Sequence, residues 1–242
     1  MLRLGASWGT MSFDELVHFL KLGGITLWAI LGLSLVALSV ALERAIALWG
    51  FSAKARALSE AIERHLLRGD KVAARAAAER SDILAADLFR AGFLRQEVAA
   101  ERHLLVAAAV DRERAQLGLK LKRNLWMLGS IGATAPFIGL LGTVVGIMRS
   151  FRDLGLDVQA GGTGGTAAVM SGISEALVTT AVGILVAVEA VLLYNYFQAR
   201  IGRMLVEVRL MAEEFVELLR SPDAAPPADA PAPGAAAGAE GP

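Results

Sequence analysis

Glu175 lies within Gly172-Ile-Ser-Glu-Ala-Leu-Val-Thr-Thr-Ala-Val-Gly-Ile-Leu-Val-Ala-Val188, a run apolar enough to cross a bilayer. A carboxylate at that depth costs about 3 kcal/mol on insertion scales and is usually retained for ion or proton handling. No basic residue occurs between Ala167 and Phe197, so the acid must face protein, water or a partner's charge, or be protonated. Glu189 follows fourteen residues later, roughly 21 Å along a helix, and two heptads place Glu175, Thr179, Val182, Val186 and Glu189 on one stripe. Two readings of Glu189 stand: it lines a pathway, or it pairs near the membrane boundary with an arginine such as Arg44. Glu43 sits beside Arg44 and reads as a boundary anchor or a functional acid; neighbours in sequence do not face each other on a helix, so its partners are expected on another helix or in interfacial water. Thr134, Thr143, Thr179 and Thr180 each either bond the carbonyl one turn back or, as a set near an unpaired acid, supply oxygens for an ion path.

Composition agrees with a membrane setting. The 242 residues are 55% hydrophobic, yet 20% are charged, which requires apolar spans with charges between them. The 24 basic residues balance the 24 acidic ones, so charge points to no nucleic-acid partner. Cysteine is absent, and His18, His65 and His103 lack metal-ligand spacing. No nucleophile–base pair is evident, and an enzyme is not expected; nor is a cofactor. Gly161-Gly-Thr-Gly-Gly165 lacks the lysine and the preceding strand of a phosphate loop.

The pattern predicts an all-α membrane protein with three transmembrane helices and long cytoplasmic helical extensions. Residues 1–23 form an interfacial segment, with Phe13, Leu16, Val17, Phe19 and Leu20 among Asp14, Glu15, His18 and Lys21. Residues 24–48 form the first span; the run starts too late, is too long for a signal peptide and has no small-residue cleavage site behind it. Residues 49–124 form a cytoplasmic helical domain, with a turn at Gly69-Asp70, an N-cap at Ser81-Asp82 and one long helix from about Glu97 into the next span. The second span covers 125–151, kinked or loosened at Pro136, with Gly142 and Gly146 as a small-xxx-small pair that lets another helix approach. A polar connection at 152–166 leads to the third span at 167–197, a cytoplasmic helix at 198–220 and a disordered tail at 221–242. Membrane-proximal Lys54, Arg56, Lys120, Lys122 and Arg123 place the large loop and the C-terminus in the cytoplasm and the N-terminus outside. Internal repeats typical of solute transporters are missing.

Ala133-Thr-Ala-Pro-Phe-Ile-Gly-Leu-Leu-Gly-Thr-Val-Val-Gly-Ile-Met-Arg-Ser-Phe151, then Gly172 to Gly183, then Tyr194-Asn-Tyr196 resemble the ExbB/TolQ/MotA family of proton-channel proteins. The three-span layout resembles the ExbB and TolQ branch, since MotA has four spans. The resemblance implies a homopentameric ring in the bacterial inner membrane, in contact with membrane lipid. The ring would enclose helices of an ExbD/TolR-like single-span partner that carries a membrane aspartate. Proton flow there would drive a TonB/TolA-like transducer. By motif, Glu175 matches the pore glutamate, Thr143 and Thr180 the threonines of spans two and three, and Pro136 the span-two proline. Many relatives have proline where this chain has Glu189, which adds a charge and removes a kink. The implied ion is H⁺; carboxylate and hydroxyl oxygens suit Na⁺ as well. A non-conducting scaffold is the alternative from another class.

Overall fold

The computed structural model describes residues 24–98, 103–159 and 165–220, all of them in helices or short turns. The interfacial segment expected before residue 24 and the tail expected after 220 lie outside these residues. Seven helices are described: α1 (Gly24–Ala47), α2 (Phe51–Leu67), α3 (Lys71–Arg80), α4 (Ala86–Val98), α5 (His103–Leu121), α6 (Leu125–Gln159) and α7 (Gly165–Arg220). They divide into two compact units, and α7 contributes residues up to Arg200 to the first and those from Ile201 to the second.

The first unit contains α1, α6 and the first part of α7. Among the described residues, these are the three helices long and apolar enough to cross a membrane. Packing is inverted relative to a water-soluble core. Large side chains point outward, with Leu35 65% and Phe137 71% exposed, whereas the contacts between helices are made largely by small ones. On α6 the inward stripe runs Leu125, Leu128, Ile131, Gly132, Ala135, Gly139, Gly142 and Ser150. Among lipid chains a Leu gains little by leaving one apolar surface for another, so association depends on close packing and small residues. A Cβ built on Gly139 would lie 3.1 Å from the Thr180 Cα, and one on Gly183 would lie 2.9 Å from the Ala135 carbonyl oxygen. The backbones of α6 and α7 are therefore in contact at this level.

The second unit follows the ordinary rule. Along α7, Ile201, Met204, Val208, Ala212, Phe215 and Leu219 recur every three or four residues and are buried. Phe215 meets Phe89 and Phe93 edge to face, with ring centroids 5.0 and 5.1 Å apart. Charged residues cover the outside, with Arg56 bonded to Glu207 at 2.6 Å and Lys120 to Asp87 at 3.2 Å. The turn before α3 uses Gly69 at φ +75°, and the Asp70 side chain accepts a hydrogen bond from the Ala73 N–H at 2.9 Å. That is an N-cap satisfying one of the free amides of the first turn.

Three elements differ from the sequence expectations. Ser81-Asp82 does not cap a helix; α4 starts at Ala86. Arg90 instead donates to the carbonyls of Ala78, Glu79 and Ser81, satisfying the exposed end of α3. The helix approaching the second span is interrupted at Lys122–Asn124, where Asn124 adopts φ 63°, a left-handed conformation that asparagine tolerates. At the far end of that span, α6 continues to Gln159 through residues expected in a polar connection. Nothing in Arg152-Asp-Leu-Gly-Leu-Asp-Val breaks a helix strongly, and a single glycine costs only about 1 kcal/mol.

Candidate ion-conducting site

Glu175 sits on α7, half-buried in the first unit. Its carboxylate lies close to Gly24, where α1 begins, and faces the positive charge of Arg149 on α6. A Cβ built on Gly24 would lie 3.3 Å from Arg149 Nη1 and 3.8 Å from Glu175 Oε1, so both charged groups converge on this glycine. Gly24 has φ +53°, which also favours a residue without a side chain.

One turn along α7, Thr179 is 2% exposed, and its hydroxyl donates to the Glu175 carbonyl at 3.1 Å. Its methyl group rests against Gly142 of α6: a Cβ there would lie 2.6 Å from Thr179 Cγ2 and 3.1 Å from Thr26 Oγ1 of α1. All three helices meet at this glycine. Gly146, one turn further, is packed on Ala176, with its Cβ position 2.9 Å from the alanine methyl. Thr180 lies about 140° around the helix from Glu175 and donates across to the Gly139 carbonyl at 2.8 Å. Thr143 and Thr134 bond within α6, to the Leu140 and Ser130 carbonyls at 2.6 and 2.8 Å. Every one of the four hydroxyl protons is thus engaged by a carbonyl, which leaves the hydroxyl oxygens able to accept. Pro136 is half-buried one turn before Leu140, within a helix that continues through it.

A model of the MotA/TolQ/ExbB proton channel family matches residues 80–209. TolQ of Pseudomonas aeruginosa is 37% identical over 140 residues, which cover 54% of this chain and 59% of that protein. An ExbB-like protein 2 of Helicobacter pylori is 46% identical over 83 residues, 34% of this chain and 53% of the other. An ExbB-like protein 1 of Synechocystis is 36% identical over 184 residues, 74% of this chain and 68% of the other. The chain belongs to the MotA/TolQ/ExbB proton channel family. It spans a little over half the length of the first two of these relatives. By its three apolar helices it is a multi-pass membrane protein.

Further along the same stripe of this family member, Val182 and Glu189 are half-buried and Val186 is buried. The stripe therefore turns partly toward the other helices of its own chain. At the opposite end of α1 from Gly24, Glu43 accepts hydrogen bonds from Arg44 at 2.6 Å, Asn124 at 3.0 Å and Arg123 at 3.1 Å. The expectation that Arg44 and Glu43 do not meet is corrected: the long guanidinium stem reaches its neighbour at the helix end. The partners expected on another segment are also present, and they tie α1 to the 122–124 turn. Arg200 adds a contact to the Leu48 carbonyl at 3.4 Å.

Sequence reasoning missed Arg149, Gly24 and Thr26. Arg149 was visible as a lone base in an apolar run, Gly-Ile-Met-Arg-Ser-Phe. Its relation to Glu175 depends on the register of two helices, which local spacing does not encode.

Proposed function

We propose that this chain is the ring-forming subunit of a proton channel in the bacterial inner membrane, with Glu175 as the acid that takes up and releases the translocated proton. Five copies surround the helix or helices of a single-span, ExbD/TolR-like partner bearing a membrane aspartate. Glu175, the oxygens of Thr143, Thr179 and Thr180, and water relay protons, with Glu189 further along the path. Each change of charge alters the attraction between ring and partner and so moves the partner, which acts on a TonB/TolA-like transducer. No covalent chemistry beyond proton transfer is involved. The arginines at the Glu43 end of the first unit (Arg44, Arg123 and Arg200) support a cytoplasmic location for that end and an outer location for the Gly24 end, by the positive-inside preference.

The observation that carries this reading is a half-buried carboxylate in an apolar helix of a proton-channel family member, with a buried threonine one turn along the same helix. Arg149 facing Glu175 supports a second reading, a non-conducting scaffold in which the acid only pairs. Glu175→Gln separates the two. The full chain and its partner, purified together and placed in vesicles, are expected to assemble normally and lose proton flux driven by an imposed potential. Wild-type flux from the Gln variant would refute the channel reading.

A further inference from the structure

Arg149 has no role in the relay described above, yet the packing of α6 on α7 directs it to Glu175. Two contacts bracket it. Gly146 rests on Ala176, and Ser150, buried with its hydroxyl on the Gly146 carbonyl at 3.0 Å, is packed against Gly172. Residues 146 and 150 are thus registered against 176 and 172, contacts that flank Arg149 and Glu175 along their two helices. Neither contact can slide without forcing a side chain into backbone. The guanidinium then reaches the space beside Gly24, where the absent side chain leaves room for it next to the carboxylate.

We propose that Arg149 is the positioning residue for Glu175, a fixed counter-charge that holds the carboxylate at Gly24 and makes the site selective for protons over metal cations. The proposal rests on reading Glu175 as the exchanging acid. A guanidinium stays protonated at any working pH. Arg149 is exposed, and its charge together with the nearby Glu175 carboxylate leaves the site without net charge between transfers. A proton needs only one oxygen lone pair: it leaves a hydronium on one side, forms an O–H bond at Glu175, and passes from there to water on the other side, with Arg149 unchanged. Na⁺ must instead exchange hydration oxygens for several ligands at a site of favourable charge. A permanent positive charge weakens the attraction for either cation, but the O–H bond still holds a proton, whereas Na⁺, held by charge and coordination alone, is left too weakly bound to enter.

The test uses the full chain with its single-span partner in phosphatidylethanolamine–phosphatidylglycerol vesicles, with Na⁺ and H⁺ as the probes. Reversal potentials under opposed gradients give the Na⁺-to-H⁺ permeability ratio. Arg149→Gln is expected to raise this ratio on the order of tenfold, the effect of losing roughly 1.4 kcal/mol of repulsion. Arg149→Lys, which keeps the charge, is expected to restore most of the selectivity, a rescue that a merely structural role does not predict. Should Arg149→Gln fail to assemble, Gly24→Asn takes its place. Asparagine tolerates the left-handed backbone, and its side chain would intrude between guanidinium and carboxylate, with the same rise expected. An unchanged ratio in the variant that assembles overturns the proposal. If Glu175→Gln still abolishes flux in that preparation, the channel reading survives and only the role of Arg149 is lost. If Glu175→Gln conducts normally, the channel reading itself has failed.

Discussion

Replacing Gly139 with alanine tests the helix contact that positions the site. The added methyl would lie 3.1 Å from the Thr180 Cα and 3.3 Å from the carbonyl oxygens of Thr179 and Thr180. All three neighbours are backbone atoms, so no rotamer change relieves the contact, and α6 and α7 must separate by some tenths of an ångström. Overpacking of this kind costs about 1–3 kcal/mol. The separation also stretches the Thr180–Gly139 hydrogen bond, 2.8 Å at present, and such bonds between membrane helices are worth about 0.6 kcal/mol on average. A loss of about 2 kcal/mol corresponds to roughly thirtyfold in the folding equilibrium. Gly32→Ala is the matched control, since a Cβ at Gly32 meets nothing within 4 Å; there the better helix propensity of alanine leaves stability equal or higher. Gly183→Ala disturbs the same contact from the other side, because its Cβ would lie 3.0 Å from the Gly139 Cα. The double variant should therefore lose less than the two single losses added together. Unfolding in mixed micelles with rising dodecyl sulfate, followed by helical circular dichroism, measures all four proteins. Equal stability for Gly139→Ala and Gly32→Ala would refute the argument that touching backbones hold this bundle.

Two further outcomes concern the second unit. Burial, then the charge of Glu214 and a hydrogen bond shared with it, hold the Glu63 carboxyl above its ordinary range. The folded chain keeps that proton to a higher pH than the unfolded chain does. Its stability is intact below the ordinary carboxylate value and falls as pH rises through the raised one. Glu63→Gln should accordingly melt above the wild type at pH 8, with a gap that closes near pH 4; a gap independent of pH would exclude charge as its cause. Phe215→Ala removes a ring packed edge to face on both Phe89 and Phe93, a truncation costing about 3–5 kcal/mol. Trypsin should then cut faster at Arg90 and Arg95, whereas unchanged cleavage would show that Phe215 does not hold α4 in place.

Much of the fold was legible because its signals are local. Apolar runs of bilayer length mark the three spans, and Gly69-Asp70 announces both a positive φ and a cap within two residues. Glu175 stood out because one charge in so apolar a run is visible without knowledge of any neighbour. The remainder depends on pairing between distant segments. Thr180 was assigned to the site by family resemblance although it points away from Glu175, and the structure engages it with the Gly139 carbonyl of another helix. The interruption at Lys122–Asn124 has no proline or glycine to announce it; Asn124 also donates its side chain to Glu43, eighty-one residues earlier in the chain. Arg149 lies near Glu175 because Gly146 and Ser150 fix the register of α6 on α7.

A gap too narrow for a methyl group is also too narrow for a water molecule. At Gly139, Gly142, Gly146 and Gly183, where α6 lies on α7, the seam is closed in this sense. A single copy is a wall and not a pipe at these levels. Under the proposed reading, a file of water that reaches Glu175 would run alongside this seam, over surfaces that other helices would complete.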